Sequence, residues 1–260
     1  TRLVSDWSSD VCSSDLGTGL HKGDRDYQQD QLGLWPHAVV KQCLLGVVAD
    51  GMGGRSGGRK ASDQVMMTAS QLFERFSPDS DAPGEFLERV AQEAHTVIRL
   101  TAVSAEQEPH STIAAFLVMP DSSCHWVHAG DSRVYHFHGE HLVHRTRDHS
   151  YVQALVDRGV LAPELADSHP QSNVLMGCLG TEADPPITHH TVAALQAGDT
   201  LIACSDGVWH YFTEQEMGKI ALHLSAKDMC QALINIARER AQGHGDNLSV
   251  IAVKLEPRAA

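Results

Sequence analysis

Short strand-like segments and longer helix-like segments occur in separate blocks along the chain. Alternating or wholly apolar runs bounded by turn residues predict nine β-strands. These runs cover 31–35, 38–49, 111–119, 123–129, 132–138, 141–145, 187–193, 199–205 and 248–255. Several are separated by only two to four residues, which is typical of antiparallel neighbours.

Apolar side chains that recur every three or four positions predict helices at 58–76, 85–104 and 226–242. The first two form a helical hairpin across 77–84, and the third ends at Gly243. Strands and helices therefore occur in blocks instead of alternating βαβ units. This order predicts an α+β layered domain with antiparallel sheets and argues against a doubly wound, dinucleotide-binding fold.

The stretch 147–186 is rich in Asp, Pro, His and Gly. Its pattern contains only short helical pieces, at 150–158 and 172–177. We expect this stretch to form a flap beside the core. The rest of 17–256 is predicted to be one domain.

The first sixteen residues do not have the pattern of a native element. They repeat SSD at 8–10 and 13–15, and they show neither helical nor strand periodicity. Residues 6–16 match the in-frame translation of a common sequencing-library adapter. We therefore expect 1–16 to be a non-native or disordered tail, with the domain beginning near Gly17.

Composition and charge argue against several classes of function. Hydrophobic residues make up 42% and charged residues 20%, which is ordinary globular usage. No apolar run approaches the roughly 18 residues needed to span a bilayer, so we expect no membrane insertion. With Lys plus Arg 20 against Asp plus Glu 33, the formal charge of −13 argues against nucleic-acid binding. Six scattered cysteines without a CxxC pair fit a reduced, cytoplasmic protein.

Four aspartates stand where predicted strands end or begin. Asp50 and Asp206 each follow a buried run and precede a glycine, while Asp131 and Asp246 lie in GDS and GDN turns. Each could be ordinary turn chemistry when taken singly. Their joint occurrence suggests a cluster of oxygen ligands, which suits Mg²⁺ or Mn²⁺ better than zinc.

Two such ions can share one carboxylate and a bridging water, and they then favour in-line displacement at phosphorus. The sequence contains neither a P-loop nor a strand–GxGxxG–helix fingerprint. The glycine-rich segment 50–58 could cradle phosphate, although that signal alone is weak. The pattern indicates phosphoester hydrolysis without a covalent intermediate.

Eight ordered motifs then resemble the type 2C (PPM) metal-dependent serine/threonine protein phosphatases of bacteria. They are GDRDYQQD (23–30), VVADGMGG (47–54), STIAAFLV (111–118), HAGDSRVY (128–135), RDHSYV (147–152), CLGT (178–181), IACSDGVW (202–209) and GDNLSVIAV (245–253). The resemblance implies a four-layer α-β-β-α sandwich of two central antiparallel sheets. The metal centre would lie in a cleft at one end.

The resemblance also implies residue roles. Asp50 would bridge two Mn²⁺ or Mg²⁺ ions, Asp206 and Asp246 would complete one site, and the Gly51 carbonyl would contribute to the other. Bacterial relatives hold a third, weaker ion, which here implies Asp131 beside Asp206. The remaining implied roles belong to Arg25, which would grip the substrate phosphate, and Asp30, which would act through metal-bound water.

Three departures from the family pattern are visible, one of which is the missing arginine before the LG pair in MGCLG (176–180). Gln28 and Gln29 precede Asp30 where asparagine is usual. Met52 replaces a histidine that some relatives carry as a proposed general acid, so the leaving group would be protonated by metal-bound water or another group.

The resemblance implies that the protein is a monomeric, stand-alone signalling enzyme that dephosphorylates phosphoserine and phosphothreonine on proteins. It would oppose a Ser/Thr kinase. Two alternatives remain: a non-catalytic module that binds phosphoproteins, and a phosphatase for small phosphoesters.

Overall fold

Two five-stranded antiparallel sheets form the centre of the computed structural model, which describes residues 12–105, 108–166 and 169–257. The strands are β1 (Cys12–His21), β2 (Gln31–Pro36), β3 (Leu44–Ala49), β4 (Gly51–Met52), β5 (His110–Ser111), β6 (Ile113–Val118), β7 (Cys124–Ala129), β8 (Arg133–His138), β9 (His141–Arg145), β10 (Thr188–Val192), β11 (Asp199–Cys204) and β12 (Leu248–Pro257). One sheet has the order β1-β12-β11-β8-β9 and the other β10-β7-β6-β3-β2. The short strands β4 and β5 pair separately.

Helices cover the outer faces of both sheets. The α-helices of the described residues are α1 (Gly54–Phe73), α2 (Pro83–Ala105), α3 (Tyr151–Asp157), α4 (Asp206–Trp209), α5 (Glu214–His223) and α6 (Ala226–Ala241). The pair α1 and α2 packs on the sheet that contains β3 and β6, whereas α5 and α6 pack on the sheet that contains β11 and β12. A third apolar core lies between the sheets and includes Phe116, Trp126 and Leu201. These four layers confirm the expected α-β-β-α sandwich.

The predicted strands are present, with shifted ends in several cases. The largest shift is at 38–49, where the strand begins at Leu44. The preceding residues form a turn closed by a hydrogen bond from His37 N to Cys43 O, with Gln42 at a φ of 67°. Apolar content alone could not distinguish this turn from strand.

The helix predicted at 172–177 is wrong. In its place Leu175 forms an isolated bridge with Ser150, and the Tyr151 amide donates to the Val174 carbonyl. These contacts with the start of α3 use backbone groups that a helix would need. The other predicted piece of this stretch is present as α3.

The domain start near Gly17 also differs from the structure. Strand β1 begins at Cys12 and pairs without interruption with β12, from Cys12 opposite Pro257 to His21 opposite Leu248. Backbone pairing depends little on side-chain identity, so the adapter origin of this segment stays a prediction. Residues 1–11 lie outside the described part of the chain. No helix in that described part is long and apolar enough to cross a membrane.

Candidate active site

Six of the seven predicted site residues line one cavity of about 300 Å³: Arg25, Asp50, Gly51, Asp131, Asp206 and Asp246. The seventh, Asp30, is only 1% exposed and lies among them behind the cavity wall. Residues separated by up to 221 positions are thus brought together at one end of the sandwich.

Strand register explains this convergence. Ala49 at the end of β3 pairs with Gln31 at the start of β2, which brings Asp50 beside Asp30. Because β11 and β12 are antiparallel, Asp206, two residues after the end of β11, lies near Asp246, two residues before the start of β12. The turn between β7 and β8 supplies Asp131 at the same end.

Backbone contacts fix the position of Asp50. Its amide donates to Thr112 Oγ1 at 2.9 Å, and its carbonyl accepts from the Thr112 amide at 2.8 Å. The Thr112 hydroxyl also contacts Ser132 Oγ at 2.7 Å. At Gly51 a Cβ atom would lie 2.0 Å from the carbonyl oxygen of Gly58 in α1, so only glycine fits this close approach.

A buried hydroxyl joins the first acidic residue to β11. Ser205 Oγ donates to Asp30 Oδ2 at 2.6 Å and accepts from the Ser249 amide at 3.1 Å. Burial, opposed by the hydrogen bond from Ser205 and reinforced by the neighbouring carboxylate of Asp206, raises the pKa of Asp30 to about 7.

Desolvation and mutual repulsion dominate the electrostatics of the cavity. Burial, followed by the charges of Asp30 and Asp206, raises the pKa of Asp50 well above its ordinary value. Burial and Asp206 raise the pKa of Asp131, and burial and Asp246 raise that of Asp206. Buried carboxylates that repel one another are stabilised by a bound cation.

The donor set fits hard divalent cations. Carboxylate and carbonyl oxygens are the ligands that Mg²⁺ and Mn²⁺ prefer. Among the described residues, Asp206 Oδ1 is buried and has no hydrogen-bond partner. Such an oxygen beside Asp50 is suited to metal binding.

One feature of the arrangement differs from a fully assembled metal site. Within 12–105, 108–166 and 169–257, no three His, Cys, Asp or Glu side chains are grouped so that they could hold one ion. At Asp246, Oδ2 accepts from Arg25 Nη2 at 2.5 Å and Oδ1 accepts from the Asn247 amide at 2.7 Å. Carboxylates that repel one another stay apart when no cation lies between them, which explains the open arrangement. To bind a metal ion, Asp246 would have to exchange the Arg25 guanidinium for that ion.

Several residues that support the site, Asn247 among them, were not predicted from the sequence. Asn247 accepts from the Gln29 amide at 2.6 Å and donates to the carbonyls of Lys22 and Tyr27 at 2.8 and 3.0 Å. It therefore fixes the loop that carries Arg25. Its place directly after Asp246 in the GDN motif was the available signal.

We expect Asn247→Ala to destabilise the fold and weaken substrate binding. Asn247 is 4% exposed, so its removal leaves buried backbone groups unpaired and should cost about 2–3 kcal/mol of unfolding free energy. Loosening the Arg25 loop should raise KM about tenfold and change kcat less. Urea unfolding and steady-state kinetics check this. Asn235→Ala on the exposed face of α6 is the control, and an unchanged KM for Asn247→Ala would contradict the assigned role.

Comparisons with known proteins agree with this geometry. Residues 19–248 match the sequence profile of the family described as Protein phosphatase 2C. The serine/threonine protein phosphatase PstP of Mycobacterium tuberculosis is 30% identical over 224 residues, which cover 84% of this chain and 41% of that protein. The serine/threonine phosphatase stp of Listeria innocua is 30% identical over 235 residues, which cover 88% of this chain and 91% of that protein.

Solved structures show the same fold. The crystal structure of M. tuberculosis PstP superposes with a TM-score of 0.80 at 26% identity, covering 95% of this chain and 99% of that one. Stp1 from Staphylococcus aureus gives a TM-score of 0.84 at 24% identity, with coverage of 98% and 100%. A PstP catalytic domain described in complex with two manganese ions gives 0.77 at 24% identity, with coverage of 95% and 99%.

Proposed function

The chain belongs to the protein phosphatase 2C family, and we propose that it hydrolyses phosphoserine and phosphothreonine on proteins with two bound Mn²⁺ or Mg²⁺ ions. The observation that carries the proposal is the single cavity lined by Arg25 and four aspartates, Asp50, Asp131, Asp206 and Asp246. The two curated relatives described above, both called serine/threonine phosphatases, support the substrate class.

The aspartates hold the ions in this proposal. The charges of all the other aspartates of the site act on Asp50, so Asp50 is assigned the bridging position. Asp206 and Asp246 would hold one ion, and the Gly51 carbonyl would contribute to the other. Asp131 with Asp206 is assigned to a third, weaker ion. When bound, the metal ions supply Lewis acidity and an activated water for attack on phosphorus.

Arg25 and Asp30 act on the substrate and solvent. The Arg25 side chain is 61% exposed and ion-paired with Asp246, so it can turn to the substrate phosphate once a metal ion neutralises that carboxylate. A guanidinium fork suits two phosphate oxygens. Asp30, held by Ser205, orients water within the site. Met52 lines the cavity but cannot donate a proton.

The proposed biological setting follows from the reaction. A protein phosphatase of this kind needs phosphorylated protein, so we propose that it opposes a serine/threonine kinase. We further propose that it acts as a monomer in the cytoplasm.

Metal removal tests the proposal. The protein should hydrolyse an aryl phosphate in the presence of Mn²⁺, lose the activity in excess chelator and regain it when Mn²⁺ is restored. Colorimetric release of the phenolate measures each step. Full activity in chelator would contradict a metal-dependent mechanism, and no activity in any metal would leave the phosphoprotein-binding alternative. A phosphothreonine peptide should be a better substrate than metabolite phosphates. The reverse order would favour a small phosphoester as the natural substrate.

A further inference from the structure

A second and larger cavity, of about 520 Å³, adjoins the candidate active site. The two cavities share Asp131, Asp206 and Asn173 in their linings. We propose that the second cavity, the flank cavity, binds an anionic side chain of the substrate near the phosphorylated residue. This inference rests on the proposed phosphatase function and names the substrate class that the same site selects.

One arginine shapes the floor of the flank cavity. Arg133 donates to both carboxylate oxygens of Asp148, at 2.8 and 2.6 Å, and stacks 3.3 Å from the centroid of the Trp209 ring. The two charged side chains are only 11% and 9% exposed. Their charges are mutually satisfied and shielded, so this pair forms the floor and does not act as a ligand.

Two further arginines of the flank cavity, Arg145 and Arg147, differ from Arg133 because their ion-pair partners are exposed to solvent. Arg145 contacts Glu214 at 3.2 Å with side-chain exposures of 29% and 45%. Arg147 pairs with Asp157, with exposures of 66% and 44%. Exposed ion pairs contribute little stability, so either arginine can exchange its partner for a substrate anion.

The charge balance favours an anion at this position. The inner carboxylates, Asp131 and Asp206, are assigned to metal binding, which compensates their charge. At the outer end, Arg145 and Arg147 line the cavity together with only one of their two partners, Glu214. A chain with a net charge of −13 repels acidic substrates in general, so a local pair of arginines gives acidic sequences a defined place to bind.

The walls suit the non-polar part of such a side chain. Val152 and Val156 of α3 face this cavity, as do Pro163 and Ala166 of the flap and Phe212 after α4. These groups can pack on the methylenes of glutamate, and an apolar wall strengthens an adjacent ion pair by reducing its contact with water.

The occupant is defined by its chemistry. An extended peptide advances about 3.3 Å per residue, so a residue within a few positions of the phosphorylated one can enter the adjoining cavity. The anion can be a carboxylate or a second phosphate, because both match the guanidinium fork.

Peptide selectivity tests the inference. Phosphothreonine peptides would differ only at one neighbouring position, which carries alanine, glutamate, a non-hydrolysable phosphonate or lysine, and each of the nearest positions on both sides would be scanned. For the wild type we expect kcat/KM to be about tenfold higher with an anion than with alanine at one position. The double variant Arg145→Gln/Arg147→Gln should lose this preference. The glutamate and phosphonate arms distinguish a carboxylate from a second phosphate.

Three controls separate this result from other causes. Arg158→Gln removes an exposed arginine of the flap that does not line the cavity, and it should keep the preference. Asp157→Asn frees Arg147 and should increase the preference. Hydrolysis of an aryl phosphate, which has no neighbouring residue, should be the same in all variants and reports that each is folded. If the double variant does not fold, Arg147→Gln alone should reduce the preference.

Several outcomes would overturn the inference. They are a flat profile in the wild type, a preference for lysine, or an anion preference that survives in the double variant. With aryl phosphate hydrolysis intact, each of these refutes the flank cavity as an anion site and leaves the phosphatase function standing. If the wild type cannot hydrolyse the aryl phosphate in Mn²⁺, the proposed function fails and this inference fails with it.

Discussion

Asp206→Asn is expected to lower kcat/KM by about a thousandfold or more, for an aryl phosphate and a phosphothreonine peptide alike. The amide keeps the shape of the carboxylate but loses the charge that would hold a divalent ion beside Asp50. The loss should therefore be independent of the leaving group and of the peptide. Asp79→Asn, an exposed aspartate between α1 and α2, is the matched control and should keep full activity.

The same substitution should raise the stability of the metal-free protein. Burial and Asp246 raise the pKa of Asp206, which means that its charged form is less favourable in the folded chain than in the unfolded chain. The cost applies at neutral pH, where the unfolded carboxyl is ionised, so removing the charge relieves it. Thermal unfolding in chelator should show a higher Tm for Asp206→Asn than for wild type. Added Mn²⁺ should then stabilise the wild type more than the variant. A variant that is inactive and also less stable in chelator would indicate a structural role for Asp206.

Phe116→Ala should lower the free energy of unfolding by about 3–5 kcal/mol, because it removes a fully buried ring from between the two sheets. Phe116 lies opposite Gly46 in the β3–β6 pair, and its ring covers the space where a side chain at Gly46 would lie. The neighbouring strands cannot close such a gap without disturbing β3, which ends directly before Asp50. Denaturant unfolding measures the effect.

Val39→Ala is the control for this second substitution. Val39 is 84% exposed, so its truncation should change stability by less than about 0.5 kcal/mol. A cost below about 1 kcal/mol for Phe116→Ala would contradict a well-packed core between the sheets.

Strands, and the positions of aspartates at their ends, could be predicted from the sequence because burial leaves a pattern in the order of apolar residues. The period-two and wholly apolar patterns of β3, β7 and β11 reflect one or two buried faces, and Asp50 and Asp206 mark where β3 and β11 emerge. Convergence of the aspartates was suggested only by their number and by resemblance. It follows physically from the antiparallel register, which single-sequence patterns do not contain.

Contacts made by polar side chains could not be predicted in the same way. The bond from Ser205 to Asp30 spans 175 positions, and the ion pair of Arg25 with Asp246 spans 221. Nothing in local periodicity connects such residues. The short helix α4 was missed because its four residues are too few for a helical pattern to be recognised, and the 172–177 error arose because tertiary bridging at Leu175 outweighed local preference.

Anomalous diffraction at the manganese absorption edge, from crystals grown with Mn²⁺, tests the central claim most directly. We expect at least two manganese ions in the cavity, with Asp50 contacting both ions of the pair and with Asp206 and Asp246 completing one site after Arg25 has left Asp246. Manganese bound elsewhere, or absent from this cavity in a preparation that hydrolyses phosphothreonine peptide, would contradict it.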